Sequence, residues 1–192
     1  MPSIASLRWI VLLVALAVSA ACGLNGSPTA TTSPGVTTSP QQSPDPGNVV
    51  WITYSGQVFA LQYPEGWVRN VSASGAAATF SNKDSYVSVQ IVPGSAQAPT
   101  TQSVTSEIAG ISGAKVTAAA RQVALPAGAA INVSYEVLGP ADPVTGKQPR
   151  LVIDRYEMVN SGRVAILELA AQVGIDKVSA YLAIANSFKW TS

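Results

Sequence analysis

Ile131, Val133, Tyr135 and Val137 alternate with Asn132, Ser134 and Glu136, and this period of two limits the fold more than any other feature of the chain. Successive side chains of a strand point to opposite faces. The run therefore predicts one buried and one wet face, as an antiparallel sheet requires. The same alternation sets Phe59, Leu61 and Tyr63 against Val58, Ala60 and Gln62, and Val87, Val89 and Ile91 against Tyr86, Ser88 and Gln90. Two more runs, residues 151–159 and 163–170, flank Asn160-Ser161-Gly162, which reads as a hairpin whose Gly supplies a positive φ. Helical periodicity is rarer. Behind Asp176 as N-cap, Val178, Tyr181, Leu182, Ala185 and Phe188 form a stripe that predicts a C-terminal helix lying on the sheet. Val104, Ile108 and Ile111 predict a shorter helix over about residues 101–111. The order of these pieces predicts an α+β domain, a mainly antiparallel sheet covered by helices.

All of this patterning falls in residues 49–192. From residue 23 to 48 the chain repeats Ser-Pro at Ser27, Ser33, Ser39 and Ser43, fills with Thr, and has Leu24 and Val36 as its only large apolar residues and Asp45 as its only charge. Such a stretch has too little to bury to offset the entropy of folding. It reads as a tether, with an O-glycosylated stalk as the alternative that its composition permits. As a coil of about 25 residues it would reach on the order of 25–30 Å, and proline-driven extension lengthens that.

Upstream again, Arg8 precedes an apolar segment, residues 9–21, that suits a secretory signal and is shorter than the roughly 20 residues that span a bilayer. Ser19, Ala20 and Ala21 directly before Cys22 resemble a bacterial lipobox, with Ser19 where Leu is commonest. The resemblance implies cleavage between Ala21 and Cys22 and acylation of Cys22. An ordinary signal peptide with a chance cysteine is the alternative. Each buried acyl CH₂ adds about 0.8 kcal/mol of membrane affinity, so two or more chains, palmitate among them, hold a small domain on a membrane. The expected organisation is a signal peptide over residues 1–21, a lipidated Cys22 with its tether over 22–48, and one globular domain over 49–192, on the outer side of a cell membrane.

Composition removes several functions. There is no His among the 192 residues, which excludes Ser-His-Asp and Cys-His nucleophile pairs and every His-ligated metal site. One Cys leaves no intramolecular disulfide. Eleven Lys and Arg against ten Asp and Glu provide no basic footprint for nucleic acid. No cofactor or metal is expected.

Thr53-Tyr54-Ser55-Gly56, followed by residues 58–67 with their Tyr63-Pro64-Glu65-Gly66-Trp67 corner, resembles the start of PsbP-like domains. Residues 165–169, Asp176 and a helix closing on Ile184-Ala185-Asn186-Ser187-Phe188-Lys189-Trp190 resemble that family's last strand and helix. The resemblance spans nearly all of residues 49–190. It implies an α/β/α sandwich and membership among proteins that chiefly bind partners without catalytic machinery. Metal contacts in the photosynthetic member involve histidine in part, so a role in oxygen evolution is not carried over.

The constellations that remain are few. Tyr63, Pro64, Gly66 and Trp67 form an aromatic corner, read as core first and as a stacking surface for a sugar or peptide second. Asp154 with Tyr156, and Arg155 with Glu157, share opposite faces of one strand, with Arg163 as a cross-strand neighbour for Glu157. A general acid and base pair drawn from Asp154, Glu157 and Glu136 is disfavoured by those opposite faces. Residues 139–147 mimic a phosphate loop, but six residues separate Gly139 from Gly146 and Gln148 follows Lys147, so turn chemistry accounts for them. Lys147 and Arg150 then make an exposed basic tip. The sequons at Asn25, Asn70 and Asn132 carry little meaning in a bacterial export context, and Asn132 and Ser134 read as the wet face of a strand. Three functions follow. The first is a non-catalytic, membrane-anchored lipoprotein binding a protein or envelope component, with Lys147, Arg150, Tyr63 and Trp67 as candidate contacts. The second is a lipid or small-ligand carrier with a pocket lined by Tyr63, Tyr135 and Phe188. The third is a hydrolase with a Ser-Lys or carboxylate site.

Overall fold

The computed structural model describes residues 49–93 and 97–191. All described residues belong to one compact unit. The signal segment, Cys22 and the tether lie outside the described residues.

In chain order the elements are β1 (Trp51–Ser55), β2 (Phe59–Pro64), β3 (Val68–Val71), β4 (Ala77–Ser81), β5 (Ser85–Pro93), α1 (Thr101–Ala109), β6 (Lys115–Leu125), β7 (Gly128–Leu138), β8 (Arg150–Asn160), β9 (Arg163–Gln172), α2 (Val178–Ser187) and β10 (Lys189–Trp190). Seven strands form one antiparallel sheet in the order β3-β4-β5-β9-β8-β7-β6, and β1-β2-β10 form a small second sheet. Alternation assigns each face of the large sheet its own core. On one face Val87, Val89, Leu167, Leu169 and Met158 pack with Phe59, Leu61, Phe80, Ile184 and Phe188, so this face carries the small sheet and α2. On the other face Val133, Tyr135, Ile153 and Ala170 pack with Val104 and Ile108 of α1. Helices on both sides of a mainly antiparallel sheet make the α/β/α sandwich that the sequence resemblance implies.

Local chemistry explains the joints. Thr100 caps α1, its hydroxyl accepting from the Ser103 N–H while the Ser103 hydroxyl accepts from the Thr100 N–H. The β8–β9 turn has Asn160 opposite Arg163, with both Ser161 (φ 49) and Gly162 (φ 73) left-handed, as a two-residue hairpin demands. In the Thr53-Tyr54-Ser55-Gly56 segment the Tyr54 ring lies against Gly56, where an added Cβ would sit 2.8 Å from ring carbons. Gly56 is there because the ring occupies the space.

Four expectations need correction. Val178 and Leu182, read as part of the buried stripe of α2, are 65% and 49% exposed, and the helix instead buries Tyr181, Ile184 and Ala185. Lys177 is the N-cap, with Asp176 accepting from the Val178 N–H one position earlier. The buried face is set by the packing of α2 against β2 of the small sheet. Asn132, read as wet, is buried, its side-chain amide donating to the Arg155 carbonyl. Arg163 is not opposite Glu157, whose register partner is Ile166; its guanidinium lies 5.5 Å from the Trp190 ring.

Candidate functional site

The aromatic corner splits into two parts. Tyr63, on the inward face of β2, is core: it is buried, with its ring centroid 4.4 Å from that of Phe80. Pro64 ends the strand, and Gly66 at φ +80 makes the turn. The Glu65 N–H donates to the Val50 carbonyl, which ties this turn to the segment entering β1. Trp67 emerges half-buried at the margin of the core. There it lines an open groove of about 320 Å³ with Val49, Val50, Pro64, Glu65, Asn82 and, from α2, Lys177, Ala180, Tyr181 and Ile184. Most of the lining is apolar, and Lys177 and Glu65 are its one cation and one carboxylate. Burial pushes the Tyr181 hydroxyl well above its ordinary pKa, so that it stays neutral.

A second constellation lies beneath α1. Arg155 points from β8 to the α1 side, and its guanidinium is one-tenth exposed. Nε donates to Glu157 Oε1 at 2.7 Å, Nη2 reaches Glu107 Oε2 of α1 at 2.6 Å, and Nη1 reaches Glu168 Oε1 of β9 at 3.2 Å. Glu168 stands directly opposite Arg155 in register. It also accepts from the Tyr135 hydroxyl at 3.0 Å and from Ser88 at 3.5 Å. One cation thus ties together four strands and a helix. Burial raises the Glu157 carboxyl above its ordinary pKa, with Arg155 pulling it back down and Glu107 adding to the rise. Burial and then the Glu168 charge push Tyr86 up to about 12, and Tyr135 is raised by the same two causes. These groups satisfy one another under a helix, and Glu107 and Glu157 also line an open cavity of about 290 Å³ beside the start of α1.

The tip between β7 and β8 is built by Asp142, whose carboxylate accepts from the N–H groups of Val144 and Thr145 and from the Thr145 hydroxyl. Those bonds, the Thr145 amide first, hold the Asp142 carboxyl below its ordinary pKa. Lys147 is exposed on this tip, while Arg150 is paired with Glu136. The predicted basic tip therefore presents Lys147 with Arg150 already neutralised. Asp154 accepts from Ser134 on the face away from Glu157, which leaves Asp154 and Glu157 on opposite sides of the sheet.

The carrier pocket does not form from the residues proposed for it. Tyr63 and Phe188 belong to the core on the α2 side, and Tyr135 belongs to the core on the α1 side, with the sheet between them. Among the described residues there is no group of three or more metal-ligating side chains, and no helix is long and apolar enough to cross a membrane.

Sequence reasoning placed Arg155 and Glu157 on one face but missed Glu168 and Glu107. A carboxylate in the middle of the apolar run of residues 163–170 was the available signal for Glu168. Glu107 is the only charged side chain of α1, which was the signal there.

No protein-family model matches the chain, and no curated protein does. Among solved structures, the cyanobacterial PsbP protein CyanoP of Synechocystis sp. PCC 6803 superposes with a TM-score of 0.52 at 17% identity, over 76% of this chain and 95% of that one. The Ran-binding protein Mog1p of Saccharomyces cerevisiae gives 0.47 at 10% identity, over 73% and 94%. LpqN, involved in cell envelope biogenesis of Mycobacterium tuberculosis, gives 0.42 at 14% identity, over 76% and 92%. The fold is PsbP-like, an assignment that rests on the superposition with the cyanobacterial protein.

Proposed function

We propose that this chain is a non-catalytic lipoprotein, anchored through Cys22 on the outer side of a cell membrane, whose PsbP-like domain binds a protein or envelope component. The observation that carries the reading is the open groove of about 320 Å³ beside Trp67, lined by both apolar and polar side chains. Two points support it further. Arg155 engages Glu107, Glu157 and Glu168 in ion pairs, and the chain has no histidine to act as a base. The anchor and tether supply what such a module needs, a fixed address and lateral reach.

Crosslinked recovery of partners from the native envelope tests this. Ala180→Arg places a long cation in the groove and is expected to lower partner recovery at least tenfold. Lys147→Glu, at the far tip, is expected to leave recovery unchanged. Equal recovery with wild type and Ala180→Arg would remove the groove as the binding surface. Loss only with Lys147→Glu would move the surface to the tip.

A further inference from the structure

One end of the seven-stranded sheet gathers exposed aliphatic and cationic side chains. The register aligns this end: Ser85 at the start of β5 faces Ala171 of β9, Leu151 of β8 faces Gln172, Arg150 faces Leu138 of β7, and Lys115 at the start of β6 faces Glu136. Val144, in the tip between β7 and β8, is 91% exposed, the most exposed large apolar side chain among the described residues. Leu138, where β7 enters that tip, is 55% exposed, and Val173, whose N–H donates to the Arg150 carbonyl, is 46% exposed. Isolated surface aliphatics need no explanation. These three, however, share one end with Lys83, Lys115 and Lys147, all of them exposed. Lys83 sits next to Asp84, which accepts from both the main chain and the side chain of Gln172. The carboxylates of this end are engaged within the protein: Asp84 with Gln172, Glu136 with Arg150, Asp142 with its own turn, and Asp176 with the Val178 N–H. Lys83, Lys115 and Lys147 make no ion pair among the described residues. The chain also enters the domain here, since Val49 and Val50 line the Trp67 groove with Asn82, the neighbour of Lys83.

We infer that this end of the sheet is a second membrane contact and that its occupant is an anionic lipid surface. Leu138, Val144 and Val173 enter the headgroup boundary, and Lys83, Lys115 and Lys147 meet lipid phosphates. Aliphatic side chains flanked by cations suit that boundary, where buried apolar area and attraction to anionic lipid add. The Asp142 bonds hold the tip in one shape, so little entropy is lost when Val144 inserts. Such a contact is weak by itself, and an anchored chain makes it intramolecular, at an effective concentration in the millimolar range. The inference rests on the membrane address proposed above and adds how the domain lies on that membrane. Its ligand is lipid, not the partner of the groove.

The mature lipoprotein, reconstituted into phosphatidylcholine vesicles with or without phosphatidylglycerol, tests this. The thioether leaves Cys22 unreactive, so a thiol introduced by Ala141→Cys at the tip, or by Ser161→Cys in the β8–β9 turn, takes an environment-sensitive fluorophore selectively. The two positions stand at opposite ends of β8, whose 11 residues span roughly 36 Å at about 3.3 Å each. With phosphatidylglycerol present, the Ala141 probe is expected to shift to shorter wavelength and to be quenched by nitroxide-labelled lipid, and the Ser161 probe to do neither. Removing one lysine charge is expected to lower the docked-to-free ratio about fivefold. Lys83→Gln/Lys115→Gln/Lys147→Gln is therefore expected to abolish the Ala141 response while the protein still floats with the vesicles. Val144→Asp is expected to do the same, with unchanged thermal unfolding as the check on folding. A silent Ala141 probe on floating protein overturns the inference and leaves the anchor standing. So does an equal response at Ser161, an equal response without phosphatidylglycerol, or a response that survives the lysine replacements. Protein that floats with neither vesicle overturns the anchor and the contact together.

Discussion

Replacing Arg155 by Met is expected to cost the domain about 3–5 kcal/mol at neutral pH, because removing one partner of a buried ion pair leaves the other uncompensated. Here the remainder is three carboxylates: Glu157, deeply buried on the same strand, Glu168 across the ladder and Glu107 on α1. α1 buries only Val104 and Ile108, so its sole ion pair is a large share of what holds it down. The loss is expected to depend on pH. In the wild type the Glu157 carboxyl is raised above its ordinary pKa by burial. A carboxyl raised in this way keeps its proton in the folded state where the unfolded chain has released it. Its contribution to stability is therefore complete below the ordinary carboxylate range and is lost as pH rises through the raised folded value. Without the guanidinium, which pulls that value down, the decline toward neutral pH becomes steeper. Denaturant unfolding at pH 5 and pH 7.5 is expected to show the Arg155→Met deficit clearly larger at the higher pH. A deficit below about 1 kcal/mol at both pH values would mean that the cluster does not hold the α1 face together.

Phe188→Ala is expected to cost a similar amount, about 3–5 kcal/mol, lowering the melting temperature by roughly 10 °C. The side chain is fully buried where α2 ends. Its ring stacks on Phe59 at 5.9 Å and meets Trp190 edge-on at 5.5 Å. It thus joins the helix, the small sheet and the face of the large sheet in one core cluster. The comparison variant is Leu182→Ala on the same helix. Leu182 is 49% exposed, so its truncation is expected to change stability by no more than about 0.5 kcal/mol. Thermal unfolding followed by circular dichroism separates the two. Equal losses would restore the helix face that periodicity alone suggested.

That contrast shows where sequence reading reaches and where it stops. β2, β5 and β7 were visible because apolar residues recur at every second position, and β8 and β9 because their apolar runs flank Asn160-Ser161-Gly162. β6 was not, although it has 11 residues, since it is an Ala-rich edge strand exposed along most of its length and so has no apolar period to detect. β3 has four exposed residues and announces nothing. The error on α2 was one of rotation: Val178 and Leu182 satisfy helical spacing as well as Tyr181 and Ile184 do, and only the position of the second sheet decides between the two stripes. Asn132 looked wet because amides usually are. Its burial depends on a hydrogen bond to the Arg155 carbonyl on the neighbouring strand, which no local pattern encodes.

The candidate sites follow the same logic. Trp67 was named from the Tyr63-Pro64-Glu65-Gly66-Trp67 corner, and the structure keeps it at a surface while taking Tyr63 into the core. The partners that complete the groove, Lys177, Ala180 and Tyr181, come from more than 100 residues further along the chain, and nothing in the corner points to them. The Arg155 cluster likewise joins residues 48 and 13 positions from Arg155, which only the ladder register and the docking of α1 bring together.

The proposed binding role depends most on the address of the domain, and intact mass of the mature protein extracted from its own envelope tests that directly. The predicted result is a chain that begins at Cys22, carries a diacylglycerol thioether with the mass of its acyl chains, and leaves the membrane fraction when Cys22→Ser is introduced. A mature chain that begins elsewhere with no added lipid mass, and a Cys22→Ser form that fractionates as the wild type does, would contradict it.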